Sequence, residues 1–273
     1  MDYSVLMSVY KKETAENLRE SMESILNQTV KTNDFVLVCD GPLGQALYDV
    51  VEEMHEQFGD VLHVIKLPQN GGLGPALNLG IKECKNELVA RMDSDDISYP
   101  DRCARQLAIF EKYPDVDICS GTVEEFTESP DQIECVRSVP EFHDDIYEFA
   151  KTRCPFNHPC VMYKKQAVES AGGYLPFVLE DYYLWVRMLL NGARGYNIPQ
   201  SLLWMRAGSD MYKRRAGWKY AKGSCQLFRY MRDNKMIGIV SCYKSCILRT
   251  GSALAPNWLR ELMYGNLLRK KAN

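Results

Sequence analysis

The stretch Glu87-Leu-Val-Ala-Arg-Met-Asp-Ser-Asp-Asp-Ile97 decides the fold. Its apolar residues Leu88, Val89, Ala90 and Met92 predict a buried parallel strand, and the run stops at three carboxylates, Asp93, Asp95 and Asp96. In an open α/β sheet, ligands bind beyond the carboxyl ends of the strands, at a topological switch point. Three acids gathered there repel one another unless a cation neutralises them, which implies a hard divalent metal with oxygen ligands. Such an ion suits a diphosphate, because it bridges oxygens of protein and ligand. The same acids also fit a plainer role, capping the helix that Pro100-Asp101 begins, and the surrounding chain has to choose.

Upstream, strand and helix alternate. Tyr3 to Val9 predicts a first strand ending at Ser8-Val9-Tyr10, and Thr14 is placed to cap a helix carrying Leu18, Met22, Ile25 and Leu26 at helical spacing. Phe35-Val-Leu-Val-Cys39 predicts a strand covered on both faces, which ends at Asp40-Gly-Pro42. A helix with Leu43, Leu47, Val50, Val51, Met54 and Phe58 as its stripe and a strand over 61–67 follow. The glycine-rich turn Gln69-Asn-Gly-Gly-Leu-Gly-Pro75 then opens another helix. Repeated alternation with short connections predicts a parallel sheet with right-handed crossovers, so that three strand tips open on one edge. The glycine turn is not GxGxxG and follows the third strand, so it matches a dinucleotide fingerprint poorly, while a nucleotide site still fits.

Downstream, helices are expected over 102–113, 142–151, 165–171 and 179–190, and strands over 118–126, 134–139 and 161–163. The helix from Leu179 to Leu190 starts with Glu180 and Asp181, a placement that the helix dipole favours.

The 273 residues are 46% hydrophobic and 25% charged, enough for one large domain with an appendage. No run of about 18 apolar residues exists to span a bilayer, and no signal peptide is expected at Met1-Asp-Tyr. Ten scattered cysteines without a CxxC pair argue against a zinc site and predict reduced thiols in a cytoplasmic protein. Four histidines are too few for a histidine-rich metal centre. The net charge of -3 hides an asymmetry: residues 206–273 hold 15 Lys and Arg against 3 Asp and Glu, leaving 18 against 33 in residues 1–205. An acidic body with a basic end suggests an anionic partner. No recognised nucleic-acid motif accompanies the charge, so an anionic membrane surface is the better match.

Seven segments occur in one order: Ser4-Val-Leu-Met-Ser-Val-Tyr10, Val36-Leu-Val-Cys-Asp-Gly41, Asn70 to Gly80, Arg91-Met-Asp-Ser-Asp-Asp96, Pro100-Asp-Arg102, Phe156-Asn-His-Pro159 and Glu180-Asp181. On these residues, 1 to about 206 resemble the family-two glycosyltransferases, enzymes of the GT-A fold. The details at Arg102, Asn157-His158 and Glu180 to Trp185 are similar to bacterial enzymes that build amylovoran-like exopolysaccharide, capsule or O-antigen repeat units. The expected architecture is α/β, a Rossmann-like, mostly parallel central sheet flanked by helices. It spans residues 1–206, and residues 207–273 form a basic helical extension.

The resemblance also implies roles. Ser8, Val9 and Tyr10 would hold base and ribose, and Asp40 would bond the uracil or other base edge. Gly72 and Leu73 would line the nucleotide site. Arg91 and Asp93 would meet ribose or sugar hydroxyls, Ser94 would belong to the same donor site, and Asp95 would ligate Mn2+ or Mg2+ on the donor diphosphate. Asp181, assisted by Glu180, would take the proton of the acceptor hydroxyl as that oxygen attacks the anomeric carbon. One displacement would invert the configuration, and a UDP-sugar is the expected donor. Asn157, His158 and Trp185 are candidates to touch the acceptor, although His158 fits a buried structural role equally and Trp185 on the base helix fits a core position better.

Arg206 occupies the place where relatives put an arginine that reaches the donor phosphates, and Lys213-Arg-Arg215 fits a closing flap or a solvated basic loop. The Q/RxxRW motif of membrane-embedded synthases is missing, because Trp218 follows Arg214-Arg-Ala-Gly, which favours transfer of one sugar. Segments 218–233, 237–248 and 258–271 read as helices, the last two apolar yet studded with Lys and Arg. Such segments suit the headgroup region of anionic lipid, next to a polyprenyl-diphosphate-linked acceptor on the cytoplasmic face. Packing on the domain or a partner subunit is the alternative. Two rival functions remain, a sugar nucleotidyltransferase and a non-catalytic nucleotide- or glycan-binding relative. Ser8-Val-Tyr-Lys-Lys12 lacks the glycine-rich signature of the first, and intact Asp93, Asp95 and Asp181 argue against the second.

Overall fold

A computed structural model of the chain describes residues 1–207 and 216–256 and the backbone of Lys270–Lys271. The first half runs β1 (Tyr3–Val9), α1 (Ala15–Leu26), β2 (Asp34–Cys39), α2 (Gln45–Phe58), β3 (Leu62–Lys66), α3 (Leu73–Glu83) and β4 (Leu88–Asp93). Next come β5 (Ile97–Ser98), α4 (Arg102–Lys112), β6 (Val116–Phe126), β7 (Ile133–Arg137), α5 (His143–Ala150), β8 (Met162–Lys164) and α6 (Lys165–Ser170). The last elements are α7 (Glu180–Leu190), β9 (Arg194–Arg206), α8 (Gly217–Asp233), α9 (Ile239–Leu254) and β10 (Lys270–Lys271).

The strands form one sheet in the order β10-β7-β6-β8-β4-β1-β2-β3, and β9 lies beside β6 and carries β5. The four strands β4, β1, β2 and β3 are parallel, as the alternation predicts. β8 turns the sheet antiparallel against both β4 and β6. Alternation along β1 divides the core. Val5, Met7 and Val9 point to α1, α2 and α4, while Leu6 points to α3 and α7. Helix α3 lies close to the sheet because of Gly80, where a Cβ would come within 2.3 Å of Leu6 Cδ1 and 3.0 Å of Val38 Cγ2.

The 13-residue strand β9 was not expected. Gly195 and Pro199 interrupt its apolar pattern, and its parallel pairing with β6 shifts register around Thr122. There the Thr122 hydroxyl donates to the carbonyl of Pro199 at 2.8 Å, replacing a ladder bond.

The helices α8 and α9 form where the basic end predicts them. Tyr182, Val186 and Leu189 of α7 share one core with Leu227, Phe228 and Met231 of α8 and Cys242 of α9. The extension is thus packed on the domain through one of its faces. The proposed third helix falls almost wholly outside the described residues. Its Lys270–Lys271 instead pair antiparallel with β7. The Lys213-Arg-Arg215 flap also lies outside them. No disulfide links the cysteines, and no helix among the described residues is long and apolar enough to cross a membrane.

Candidate active site

Parallel pairing places the strand tips together: Ser8 is in register with Val38 on one side and Asp93 on the other. The Asp40 N–H donates to the carbonyl of Val9 at 2.8 Å. Ser8, Tyr10, Asp40 and Asp93 therefore share the carboxyl edge of the sheet. Tyr10 is exposed there, and Val9 is buried beneath. Asp40 is itself almost enclosed. Its carboxylate accepts the N–H of Gly71 at 2.7 Å and of Gly72 at 3.0 Å, and the Asn70 amide at 2.8 Å. It thus clamps the glycine turn at the start of α3. Three of about four acceptor positions on the carboxylate are used, which leaves one for a base edge. Gly72, with φ +93, turns the chain into the helix, and Leu73 begins it.

At the tip of β4, carboxylate oxygens of Asp93, Asp95 and Asp96 lie within 4.8 Å of one another. Arg91 is 1% exposed, and both ends of its guanidinium fork hold Asp93, one bond being 2.9 Å. Among the described residues, Asp95 has no such partner. Burial, then the charges of Asp93 and Glu13, push its carboxyl up to about 7. Asp96 is raised well above its ordinary value by burial and by both neighbouring acids, although the Arg206 N–H bonds its Oδ1 at 2.8 Å. Among the described residues, the cluster is therefore short of positive charge. All-carboxylate donors of this kind fit a hard divalent cation such as Mn2+ or Mg2+.

Arg206 ends β9 against the same acids. Its Nε donates to the Asp95 carbonyl at 3.1 Å and its Nη2 to Glu20 at 2.8 Å, with the guanidinium 4.7 Å over the Phe126 ring. Ser94 is buried, its hydroxyl 3.4 Å from Glu13. Glu13 and Glu20 belong to this site and were not singled out in the sequence. Their only signal there is that they lie on the loop and helix after the Ser8-Val9-Tyr10 tip.

The second pair of acids starts α7. The Glu180 carboxyl is raised by burial and by Asp181, and it feels the charges of Arg91 and Asp93. The start of α7 therefore lies within electrostatic reach of the end of β4. The Cys154 thiol donates to Asp181 Oδ2 at 3.7 Å. Burial and Asp181 raise that thiol well above its ordinary value, so it stays protonated and donating.

Two candidate acceptor residues are corrected by their surroundings. Trp185 is fully buried, surrounded by Phe156, His158, Tyr163 and Tyr174 at centroid distances of 5.8 to 6.4 Å. It offers no face to a saccharide, and one helical turn from Asp181 it anchors the start of α7. Asn157 is buried too, its amide spent on the carbonyls of Gly121 at 2.8 Å and Arg137 at 3.2 Å. His158 lies between core and crevice, with Nε2 2.9 Å from the Tyr174 hydroxyl. Burial and the Arg91 charge hold it well below its usual pKa, so it is neutral. Arg102 is also fully buried. It gathers the carbonyls of Arg91 at 2.7 Å, Pro159 at 3.2 Å and Val161 at 3.2 Å, joining the metal-site strand to the His158 turn.

Comparison with known proteins agrees with this geometry. Residues 4–171 match the family described as "Glycosyl transferase family 2". An uncharacterized glycosyltransferase of Haemophilus influenzae is 41% identical over 99% of this chain and 100% of its own length. The amylovoran biosynthesis glycosyltransferase AmsE of Erwinia amylovora is 38% identical over 96% and 97%. An Escherichia coli enzyme, UDP-Gal:alpha-D-GlcNAc-diphosphoundecaprenol beta-1,3-galactosyltransferase, is 34% identical over 98% and 97%. Among solved structures, S. aureus TarS 1-349 in complex with UDP-GlcNAc superposes with a TM-score of 0.68 at 15% identity, covering 98% of this chain and 76% of that one. The mannosyltransferase PcManGT from Pyrobaculum calidifontis, with GDP-Man and Mn2+, gives 0.65 at 16%, covering 96% and 79%. The fold is that of the GT-A glycosyltransferases. The chain belongs to glycosyl transferase family 2 and is a glycosyltransferase.

Proposed function

We propose that the protein transfers one sugar, with inversion, from a nucleotide sugar to a lipid-linked saccharide in the synthesis of a bacterial surface polysaccharide. The observation that carries this reading is the group of three acids at the tip of β4, within 4.8 Å of one another, with Asp93 and Arg91 in electrostatic reach of Glu180 at the start of α7. The names of the amylovoran and diphosphoundecaprenol relatives support the acceptor class and the pathway. Complexes of structural neighbours with UDP-GlcNAc and GDP-Man support a nucleotide-sugar donor, here taken as a UDP-sugar.

In this reading Asp95 is the direct ligand of Mn2+ or Mg2+, which when bound neutralises charge on the departing diphosphate. Arg91 holds Asp93 by both ends of its fork, oriented toward ribose or sugar hydroxyls. Ser8, Tyr10, Asp40 and the turn at Gly72 and Leu73 hold the nucleoside. Arg206 and Ser94 border the diphosphate side. Asp181 accepts the proton of the attacking hydroxyl as the new C–O bond forms and the bond from the anomeric carbon to phosphate oxygen breaks. Glu180 beside it assists, or binds the acceptor. His158, neutral and bonded to Tyr174, borders the acceptor. The cytoplasmic face of the cell membrane is where both substrates meet.

The test is release of nucleoside diphosphate across a panel of nucleotide sugars, with and without Mn2+, in the presence of a diphosphate-lipid saccharide. Cation- and acceptor-dependent release from one donor is the expected result. Release of pyrophosphate from a nucleoside triphosphate and a sugar phosphate instead would assign a nucleotidyltransferase. Donor binding without turnover under any condition would assign a non-catalytic relative.

A further inference from the structure

The helix α9 is built inside out. Its inward face carries small or polar residues, Cys242, Cys246, Arg249 and Ala253, and Arg249 bonds the Thr152 carbonyl at 2.8 Å. Its outward face carries Ile239, Val240, Tyr243, Ile247, Leu248 and Leu254, all more than half exposed, with Val240 at 78% and Ile247 at 71%. These positions recur at three- and four-residue intervals, so they form one continuous apolar stripe. Scattered exposed apolar residues need no explanation, whereas a whole helical face of this kind marks a surface that something covers.

The charge around the stripe indicates what covers it. Residues 216–256 hold seven Lys and Arg against the single acid Asp233, and Lys244 lies on the stripe itself. Two such hairpins repel each other, which disfavours a second copy of the chain as occupant. An anionic surface attracts them. The aromatic residues fit the same surface. The Cys225 thiol meets the Cys246 carbonyl at 3.8 Å and the Thr250 hydroxyl at 3.6 Å, which sets α8 antiparallel to α9. That register brings Trp218, 67% exposed, alongside the Leu254 end of the stripe. Trp and Tyr beside apolar and basic residues are the side chains that settle at headgroup level. With 16 residues α9 is about 24 Å long, too short to span a bilayer of about 30 Å and suited to lying in its plane.

We propose that the outward face of α9, with Trp218, docks on an anionic lipid bilayer, Ile247 and Val240 entering the headgroup boundary and Lys244 meeting lipid phosphate. This surface is distinct from the crevice and stands whether or not the transferase reading does.

The experiment is flotation of the full chain, without nucleotide sugar, with phosphatidylcholine vesicles and with vesicles of phosphatidylcholine and phosphatidylglycerol in equal parts. The expected result is binding to the anionic vesicles, with a blue shift of tryptophan emission. Ile247→Asp should weaken binding by about tenfold or more, and Lys244→Gln by about fivefold on anionic vesicles alone. Both side chains are exposed, so an unchanged unfolding midpoint should accompany the loss. Ile247→Ser, which adds no charge, should cost a smaller factor and serves if the aspartate variant is unstable. Equal binding by the wild-type chain and the Ile247 variants overturns the proposal, as does no binding to either vesicle. A lipid-free dimer that Ile247→Asp dissociates overturns it too, in favour of a second copy.

Discussion

Arg91 and Asp93, two residues apart on β4, face each other through a two-pronged ion pair whose cationic half is buried and whose anionic half is a third exposed. The pair explains why the three acids differ. Asp93 is neutralised from inside the protein, whereas Asp95 and Asp96 are left to share an unmet negative field. Arg91→Met should leave Asp93 without its partner and destabilise the fold by about 2–3 kcal/mol, seen as a lower urea midpoint.

Asp95→Asn should have opposite effects on stability and on function. It removes a carboxyl whose ionisation is disfavoured, so the metal-free variant should melt no lower than wild type at pH 8. The stabilisation that Mn2+ gives the wild-type chain should vanish, together with cation-dependent donor affinity. Thermal unfolding with and without Mn2+ measures both.

The pH dependence has a definite sign. A carboxyl raised from 3.8 to about 7 in the folded state favours folding only while protonated. Without a cation, stability should therefore fall as pH rises from about 4 to about 7. Because the proton and the ion compete for Asp95, apparent Mn2+ affinity should weaken as pH drops below about 7. Calorimetric titration at pH 6 and pH 8 gives the comparison; equal affinity at both would remove Asp95 as a ligand.

Asp181→Asn should preserve donor binding and lower the transfer rate by about 10²–10⁴-fold, the usual contribution of a positioned general base. Donor affinity from titration and turnover from diphosphate release separate the two. A loss in affinity with turnover retained would place Asp181 on the donor side.

Trp185→Phe probes the support beneath that base. The aromatic cluster around Trp185 holds the first turn of α7, so a smaller ring should lower kcat with little change in donor affinity. Trp185→Ala should cost about 3–5 kcal/mol of stability through the cavity it leaves.

The strand tips were legible in the sequence because each ends an apolar run on a polar residue, as at Cys39-Asp40 and Met92-Asp93. The register of the parallel strands then converts those endings into one edge. β9 was not legible, since Gly195 and Pro199 break its period and its partner β6 lies some 80 residues upstream. Asn157 and Trp185 show a different limit. A sequence motif marks a position as constrained without telling whether its side chain faces ligand or core. Glu13 and Glu20 were hidden for the converse reason. On a surface helix and its entry loop, acids are ordinary, and only the return of Arg206 from far along the chain gives Glu20 its partner.

The Asp40 clamp has a consequence for how a phosphate is received. Backbone amides at the start of a helix are the usual natural cradle for an anion. Here those of Gly71 and Gly72 are already satisfied by a carboxylate of the protein itself. A diphosphate entering beside them meets donors that are already engaged, so its charge must be balanced by cations from elsewhere in the site.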